Sequence, residues 1–319
     1  MIVRLFLCHF SAMSSRMKVP PLYYNGREVD TAPSRFGLLK RSGDLLGDRD
    51  ALCARMAEDG YLYLPGLLNT EDVLAARRGI LERMQTENLL HPDFPLMDGV
   101  ARPDARPNFK PDLAKKNSPV QKMAYDGPMM DFFEMFLGGA VRHYDYTWLR
   151  TKCPGSGHVT SPHCDIVYMG RGTKNLFTAW TPLGDVPIEM GGLMIMEHSG
   201  HRPDALGGYW EMDVDTYCTN KEDAEDIESG RKQWGGSFNP DALALREQLG
   251  ERWLTSEYST GDVLVFGMFT LHASLDNQTD RFRLSTDTRY QLASDPVDGR
   301  WIGEDPIGHG PEAKVGMIC

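Results

Sequence analysis

The amino-acid sequence predicts an α+β fold whose core is an antiparallel barrel or sandwich. Helical signals come first, short strands bounded by Gly and Pro turns follow, and no internal repeat, low-complexity run or domain linker divides the chain. We therefore expect one domain over residues 19–319, preceded by a tail at 1–18.

Asp50 to Glu58 reads as a short helix with Ala51, Leu52, Ala54 and Met56 as its apolar set. Gly60 ends it, and Tyr61-Leu62-Tyr63-Leu64 follows as a strand. Pro65-Gly66 turns the chain. Asn69 or Thr70 caps the next helix, where Glu71 and Asp72 complement the macrodipole, and the pattern continues to about Met84. Residues 91–117 are rich in Pro, Asp and Arg and read as loop. Pro128 to Leu137 is a helix with a thick face of Met129, Phe132, Phe133, Met135 and Phe136, stopped by Gly138-Gly139.

Val141 to Lys152 alternates, placing Tyr144, Tyr146, Trp148, Arg150 and Lys152 on one strand face. Further strands are expected at Leu176–Pro182, Leu193–Met196, Val263–Phe266, Leu271–Leu275 and Phe282–Leu292. Between them, residues 202–250 form a polar excursion carrying Trp210, Tyr217 and Trp234. Within it Asn239 caps, Pro240 starts and Gly250 ends a helix. So long an insertion is expected to be a lid.

A net charge of −11 and a pI near 5.3 argue against a nucleic-acid groove or an anionic membrane surface. No stretch reaches the ~20 apolar residues that span a bilayer. Cysteines 8, 53, 153, 164, 218 and 319 show no zinc-like spacing and are expected as free thiols in a reducing compartment. The expected location is cytoplasmic, with organelle targeting by the apolar, acid-free tail as the alternative.

The chemistry-bearing motif is His-x-Asp. With 9 His and 45 acidic residues in 319, chance predicts about one His-x-Asp/Glu, and three are present. His91-x-Asp93 is flanked by Pro92 and Pro95, which remove ladder donors and argue for loop. His143-x-Asp145 lies on an expected strand and competes directly. His163-x-Asp165 would place both side chains on one face of an extended strand, and His272 would complete a two-His, one-carboxylate set suited to Fe(II) with open positions. Arg283 could grip the far carboxylate of a dicarboxylic co-substrate. Each residue also has an ordinary explanation. Arg281 and Arg289 share the parity of Arg283, so a polar strand face is enough; Ser274 can be a plain strand serine, Trp180 a core residue, and His198 and His201 hydrogen-bonded loop.

Order and spacing decide between these readings. Glu58-Asp59-Gly60-Tyr61 with Pro65-Gly66-Leu67-Leu68, then His163-x-Asp165, Trp180, Asp185, Glu189-Met190-Gly191-Gly192-Leu193 and Ser199-Gly200-His201 follow one another along the chain. Gly261-Asp262, His272-Ala273-Ser274, Asn277 and Arg283 complete the series. From about Glu58 to Gln291 this resembles the phytanoyl-CoA dioxygenase family of Fe(II)- and 2-oxoglutarate-dependent oxygenases. The resemblance implies a double-stranded β-helix (jelly roll, cupin-like) core with flanking helices. It implies iron on His163, Asp165 and His272, and 2-oxoglutarate held by Arg283 with help from Ser274 and bordered by Trp180. It further implies hydroxylation of an unactivated C–H of a small organic or acyl substrate by dioxygen, releasing succinate and CO2. Ser199-Gly200-His201 reorders the family's Gly-Ser-His, and the 202–250 excursion looks enlarged. An acyl-CoA would need cations for its phosphates, for which Lys115, Lys116, Arg171 and Lys174 are candidates. The alternatives are a cupin-like metal- or ligand-binding protein without oxygenase activity and an isomerising enzyme on the same scaffold.

Overall fold

The structure, a computed structural model, describes residues 20–232 and 235–319. The tail expected at 1–18, Cys8 and Trp234 lie outside these residues. Before the site come strands β1 (Tyr23–Tyr24), β2 (Arg27–Glu28), β3 (Phe36–Leu38), β4 (Tyr61–Leu64), β5 (Val141–His143) and β6 (Trp148–Lys152). β7 (Phe177–Pro182), β8 (Leu193–Met196), β9 (Thr216–Cys218) and β10 (Trp253–Thr255) follow, then β11 (Val263–Gly267), β12 (His272–Ser274), β13 (Arg283–Leu292) and β14 (Val315–Met317). The helices are α1 (Arg49–Asp59), α2 (Thr70–Thr86), α3 (Ser118–Tyr125) and α4 (Pro128–Leu137). α5 (Ile166–Met169), α6 (Pro203–Trp210), α7 (Ala224–Glu228) and α8 (Ala242–Leu249) come later.

Two sheets form the core. The larger runs β4-β11-β7-β13 and is antiparallel throughout; β13 continues to β6 through its first half and to β5 through its last residues. The smaller runs β12-β8-β10-β3, parallel only at β10–β3. Alternation along the strands builds the layers. Tyr61, Tyr63, Trp180, Leu264 and Phe266 of the larger sheet share a core with Leu193, Ile195 and Leu254 of the smaller one. Leu62 and Leu64 belong instead to a core with Val73 and Ile80 of α2 and Phe132 and Phe133 of α4. Both faces of β4 are therefore covered, and all four of its residues are buried.

The 202–250 excursion packs more firmly than its polarity suggests. Tyr209, Ala242, Leu245 and Leu249 join Met194, Met196, Trp253 and Ala273 in a third core, so α6 and α8 cover the outer side of the smaller sheet. The helix expected from Pro240 begins after Asp241, whose carboxylate accepts from the amides of Leu243 and Ala244. Asn239 acts one step earlier, accepting from the Asp241 amide. Gly250 ends the helix in the left-handed conformation.

Two expectations are corrected. The strand expected over 141–152 breaks at 144–147, where the Asp145 amide turns to the carbonyl of Trp301. The alternation is therefore not continuous from Tyr144 to Lys152, although the Tyr146 ring still packs against Trp148. The cysteines are not all free thiols. Cys218 and Cys319 form a disulfide, while Cys53, Cys153 and Cys164 are unpaired. The partners lie 101 residues apart and meet because β14 pairs β9 in parallel, with Met317 opposite Cys218. Among the described residues no helix is long and apolar enough to cross a membrane.

Candidate active site

The metal-type constellation is assembled by one β-bridge and one helix entry. His163 and His272 exchange backbone hydrogen bonds of 3.1 and 3.0 Å, which sets their imidazoles side by side with centroids 4.1 Å apart. Beyond Cys164 the chain enters α5, and Asp165 caps it with helical backbone angles (φ −66°, ψ −21°). The His-x-Asp pair therefore does not lie on one continuous strand, as the spacing suggested; the bridge and the helix start bring the two side chains together instead. Each imidazole donates its Nδ1–H to a carbonyl, His163 to Ser161 (2.8 Å) and His272 to Thr270 (2.9 Å). That fixes both tautomers and leaves both Nε2 atoms free, each 3.8 Å from Asp165 Oδ1. One ligand atom from each of the three residues lies within 4.8 Å of the others, and all three residues are buried.

The second oxygen of Asp165 is spoken for. Oδ2 accepts from Thr178 Oγ1 (2.5 Å) on β7 and from Arg289 Nη2 (3.0 Å) on β13. The Arg289 guanidinium lies 4.0 Å over the Trp148 ring. Burial, then the adjacent His272, pushes the His163 imidazole down to about 3, and burial lowers His272 as well. Both rings are thus neutral with lone pairs available. Burial alone would raise the Asp165 carboxyl, but Arg289, the two imidazoles and the Thr178 hydroxyl outweigh it and hold the group well below the carboxylate range. Two neutral imidazoles and one ionised oxygen form a donor set that suits Fe(II).

A second feature lies toward the other end of β13. Arg283 is buried, with Nη1 donating to Ser285 Oγ (2.7 Å) and its guanidinium 5.6 Å over the Trp180 ring. Its cross-strand partner on β6 is Lys152, also buried. Lys152 Nζ donates to Ser274 Oγ (2.5 Å) and to the carbonyl of Leu275 (2.6 Å), and Ser274 Oγ also accepts from the Thr160 amide. The structure thus brings Arg283, Trp180 and Ser274 into one neighbourhood, with Ser274 reaching Arg283 through Lys152. Neither cation forms a salt bridge among the described residues. Burial presses Lys152 well below its ordinary value, assisted by Arg283, and lowers Arg283 to about 10. Two adjacent buried cations without a carboxylate partner make a site that an anion would complete.

The competing motifs are accounted for. His91 and Asp93 sit in a loop, with Asp93 exposed. His143 stacks on Tyr125 at 4.1 Å and borders a separate cavity of about 940 Å3 that contains none of the three buried ligand candidates. His198 pairs with Glu251, and His201 bonds the carbonyl of Glu58. Glu197, His198 and Glu251 do cluster, but Arg252 already holds Glu197 through two bonds and Arg202 pairs with Glu251. Arg281 is exposed beyond the strand. Lys115, Lys116 and Arg171 pair with Asp305, Glu304 and Asp213, and Lys174 donates to the carbonyl of Gly170. Sequence reasoning missed Thr178, Arg289 and Lys152 as site residues. For the last two a signal existed: Arg289 shares the parity of Arg283, and Lys152 ends the alternating face of β6.

At His163 and Asp165 opens a cavity of about 430 Å3, bordered also by Trp148, Arg150, Ser161, Tyr168, Ser237 and His309. Its size suits a small organic molecule. Two facing sheets, a buried two-His, one-Asp cluster and an adjoining pair of buried basic residues are the parts of a non-haem-iron oxygenase that takes a carboxylate co-substrate.

Comparison with known proteins agrees. The sequence profile described as phytanoyl-CoA dioxygenase (PhyH) matches residues 56–285, and the chain belongs to this family. It is a 2-oxoglutarate-dependent non-haem-iron oxygenase, with iron and 2-oxoglutarate as its cofactor and co-substrate. The 1-deoxypentalenic acid 11-beta-hydroxylase of Streptomyces exfoliatus is 27% identical over 266 residues, covering 78% of this chain and 83% of the relative. Among solved structures, EctD from S. alaskensis with 2-oxoglutarate and 5-hydroxyectoine has a TM-score of 0.54 at 17% identity, over 90% of this chain and 92% of that one. The α-ketoglutarate-dependent carbocyclase SnoK from nogalamycin biosynthesis has a TM-score of 0.55 at 17% identity, over 81% and 89%. These two likenesses concern the fold.

Proposed function

We propose that the protein hydroxylates an unactivated C–H of a small organic or acyl substrate, with Fe(II) on His163, Asp165 and His272. In this reading Arg283 and Lys152 hold the distal carboxylate of 2-oxoglutarate, Ser274 orients Lys152, and Trp180 borders the pocket. The two facing sheets are read as a double-stranded β-helix. The observation that carries the proposal is the buried Lys152–Arg283 pair, without an ion-pair partner among the described residues and tied to the triad through Ser274, two residues beyond His272. A metal-binding cupin without a co-substrate would leave that pair buried and unanswered.

Bound iron with 2-oxoglutarate supplies the oxidising chemistry, using dioxygen and releasing succinate and CO2. This chain's residues position and shield. The carbonyls of Ser161 and Thr270 keep the Nε2 lone pairs turned inward, while Thr178 and Arg289 hold Asp165 so that Oδ1 alone is presented. Tyr168 reaches across the cavity to the carbonyl of Gly235 (2.5 Å), joining its wall to the excursion. We read residues 202–250 as a lid anchored by α6 and α8, whose covering segment near 235–237 limits water at the reacting carbon. Hydroxylation by the 27%-identical relative supports a C–H substrate here.

Anaerobic titration tests the assignment. Fe(II) and then 2-oxoglutarate should bind the wild type; Asp165→Ala and His272→Ala should lose the metal, whereas His143→Ala should keep it. A screen of organic acids, acyl-CoAs and neutral metabolites for stimulated succinate release then identifies the substrate. Iron binding lost in His143→Ala and retained in Asp165→Ala would move the metal to the other motif.

A further inference from the structure

Arg150 brings to the cavity a cation that none of the chemistry above uses. Strand β6 points Trp148, Arg150 and Lys152 the same way but to different depths. Lys152 is buried and reaches Ser274, whereas Arg150 is half-buried and borders the cavity beside His163 and Asp165. Its guanidinium is held at two places. Nε donates to Asp287 Oδ2 (3.1 Å), and Cζ lies 5.0 Å over the ring of Phe109, which borders the same cavity. The backbones of Phe109 and Arg150 bridge each other, so ring and guanidinium are fixed by one pairing. Among the described residues Nη1 and Nη2 have no hydrogen-bond partner, and neither is shielded from solvent. Asp287 matches the charge but engages one edge of the fork, and it does not itself border the cavity. Of the described residues that do, Asp165 is the only acid, and its Oδ2 already accepts from Thr178 and Arg289. The wall thus presents an arginine edge, held in plane, with no acid of its own to close on. Water satisfies these donors while the cavity is open; once water is limited there, the occupant must supply the acceptor.

We propose that Arg150 is a specificity-determining residue whose Nη1–Nη2 edge binds a carboxylate on the substrate. The inference rests on the proposed function, in which this cavity is the substrate site. The two oxygens of a carboxylate match the fork, and an arginine already fixed at Nε and over a ring loses little freedom on gripping them. The substrate class then narrows from a small organic or acyl compound to a free organic acid that fits about 430 Å3. A thioester, which has no carboxylate to offer, falls outside it. The strand thereby separates two anions by depth: Lys152 with Arg283 takes the far carboxylate of the co-substrate, and Arg150 takes that of the substrate.

The probes are a panel of alicyclic carboxylic acids with their methyl esters. Binding is followed by quenching of tryptophan fluorescence, since Trp148 lines the cavity. The anaerobic Fe(II) protein is used with saturating 2-oxoglutarate, so that no acid can fill the co-substrate's place, and 2-oxoglutarate binding is measured separately by calorimetry. In the wild type at least one acid should bind roughly tenfold tighter than its ester. Arg150→Gln, whose amide keeps a donor on the Asp287 side, should bring that ratio to about one with the ester affinity unchanged. Arg150→Lys keeps the charge without the fork and should retain only part of the preference; if Arg150→Gln does not fold, this variant decides. The inference is overturned if no acid outbinds its ester or if either variant keeps the full preference. It is also overturned if Arg150→Gln weakens 2-oxoglutarate roughly tenfold or more, which would assign the fork to the co-substrate. A wild type that fails to bind 2-oxoglutarate instead defeats the proposed function. The acid–ester comparison in the ligand-free protein then still decides on Arg150: a preference lost in Arg150→Gln and kept in Lys152→Met supports it, and the reverse overturns it.

Discussion

Replacing Lys152 with methionine removes one charge from the cationic pair while keeping most of the buried volume. In the unliganded protein the ammonium is bonded to Ser274 Oγ and the Leu275 carbonyl and has no carboxylate partner. Losing those bonds costs about 0.5–1.5 kcal/mol each. Removing a buried amine that burial and Arg283 already disfavour as a cation returns a comparable amount, so the apo protein should change by no more than about 1 kcal/mol. With co-substrate bound the balance differs, because a desolvated, charge-assisted contact is lost. That is worth about 2–3 kcal/mol, or a roughly 30- to 150-fold weaker 2-oxoglutarate constant. At a concentration of 100 times the wild-type constant, ligand stabilisation is ~2.7 kcal/mol; a 30-fold weaker constant reduces it to ~0.9 kcal/mol. At about 2 °C per kcal/mol, the ligand-induced rise in Tm should fall from about 5 °C to about 2 °C. Anaerobic scanning fluorimetry with Fe(II), with and without 2-oxoglutarate, measures both quantities. An undiminished ligand-induced rise in Lys152→Met, or an apo Tm lower by more than about 10 °C, would refute the reasoning.

Three further outcomes follow from the same geometry. Arg289→Met leaves Asp165 with Thr178 alone, so Fe(II) affinity should drop roughly 10- to 100-fold in a chelator competition, and an unaltered affinity would remove Arg289 from the supporting role. Burial holds the His163 imidazole near 3 in the folded apo protein against 6.5 when free, so its share of stability is intact above pH 6.5 and is lost progressively as pH falls toward 3. Asp165, whose folded value is depressed, adds to that loss only below about 3.8. The apo Tm should therefore decline on acidification and His163→Asn should flatten the slope, whereas equal slopes would contradict the burial argument. Reducing Cys218–Cys319, or making Cys319→Ser, should cost about 2–4 kcal/mol for a loop of 101 residues, and alkylation without reductant that labels Cys218 would show the bond is not made.

The elements legible in the sequence were those whose signal is local. α4 has a dense aromatic face, a proline at its first position and Gly138 in the left-handed region, and it lies where the pattern put it. β4, β7, β11 and β13 also match, because runs of apolar or alternating residues ended by Gly and Pro have few other solutions. The pairing of His163 and Asp165 was legible by spacing, but not its cause. A four-residue helix such as α5 carries almost no periodic signal, so its entry at Asp165 could not be read. The break at 144–147 depends on a bond from Asp145 to Trp301, far along the chain, and the disulfide depends on the register of two three-residue strands. The excursion misled for a different reason. Its composition is polar, yet a few residues, Tyr209, Leu245 and Leu249 among them, suffice to anchor it over the smaller sheet.

The charge pattern of the site follows from the register of β6 against β13. Arg283 stands opposite Lys152, Ser285 opposite Arg150 and Asp287 opposite Trp148. The side chains then meet their neighbours one pair further along. Arg150 Nε reaches Asp287 (3.1 Å), Arg289 lies over Trp148 and holds Asp165, and Arg283 finds only Ser285 on its own strand. Of four basic residues on the two inner faces, Arg150 and Arg289 are therefore neutralised by Asp287 and Asp165. The other two are left side by side with no acid at ion-pair distance among the described residues, Asp276 and Asp287 acting on them only from further off. A slip of one residue would turn all of them toward the helix-covered layer, where no water or carboxylate could receive them. That penalty makes the register strongly specified. The pairing that buries Lys152 and Arg283 is held by the two basic residues that are matched.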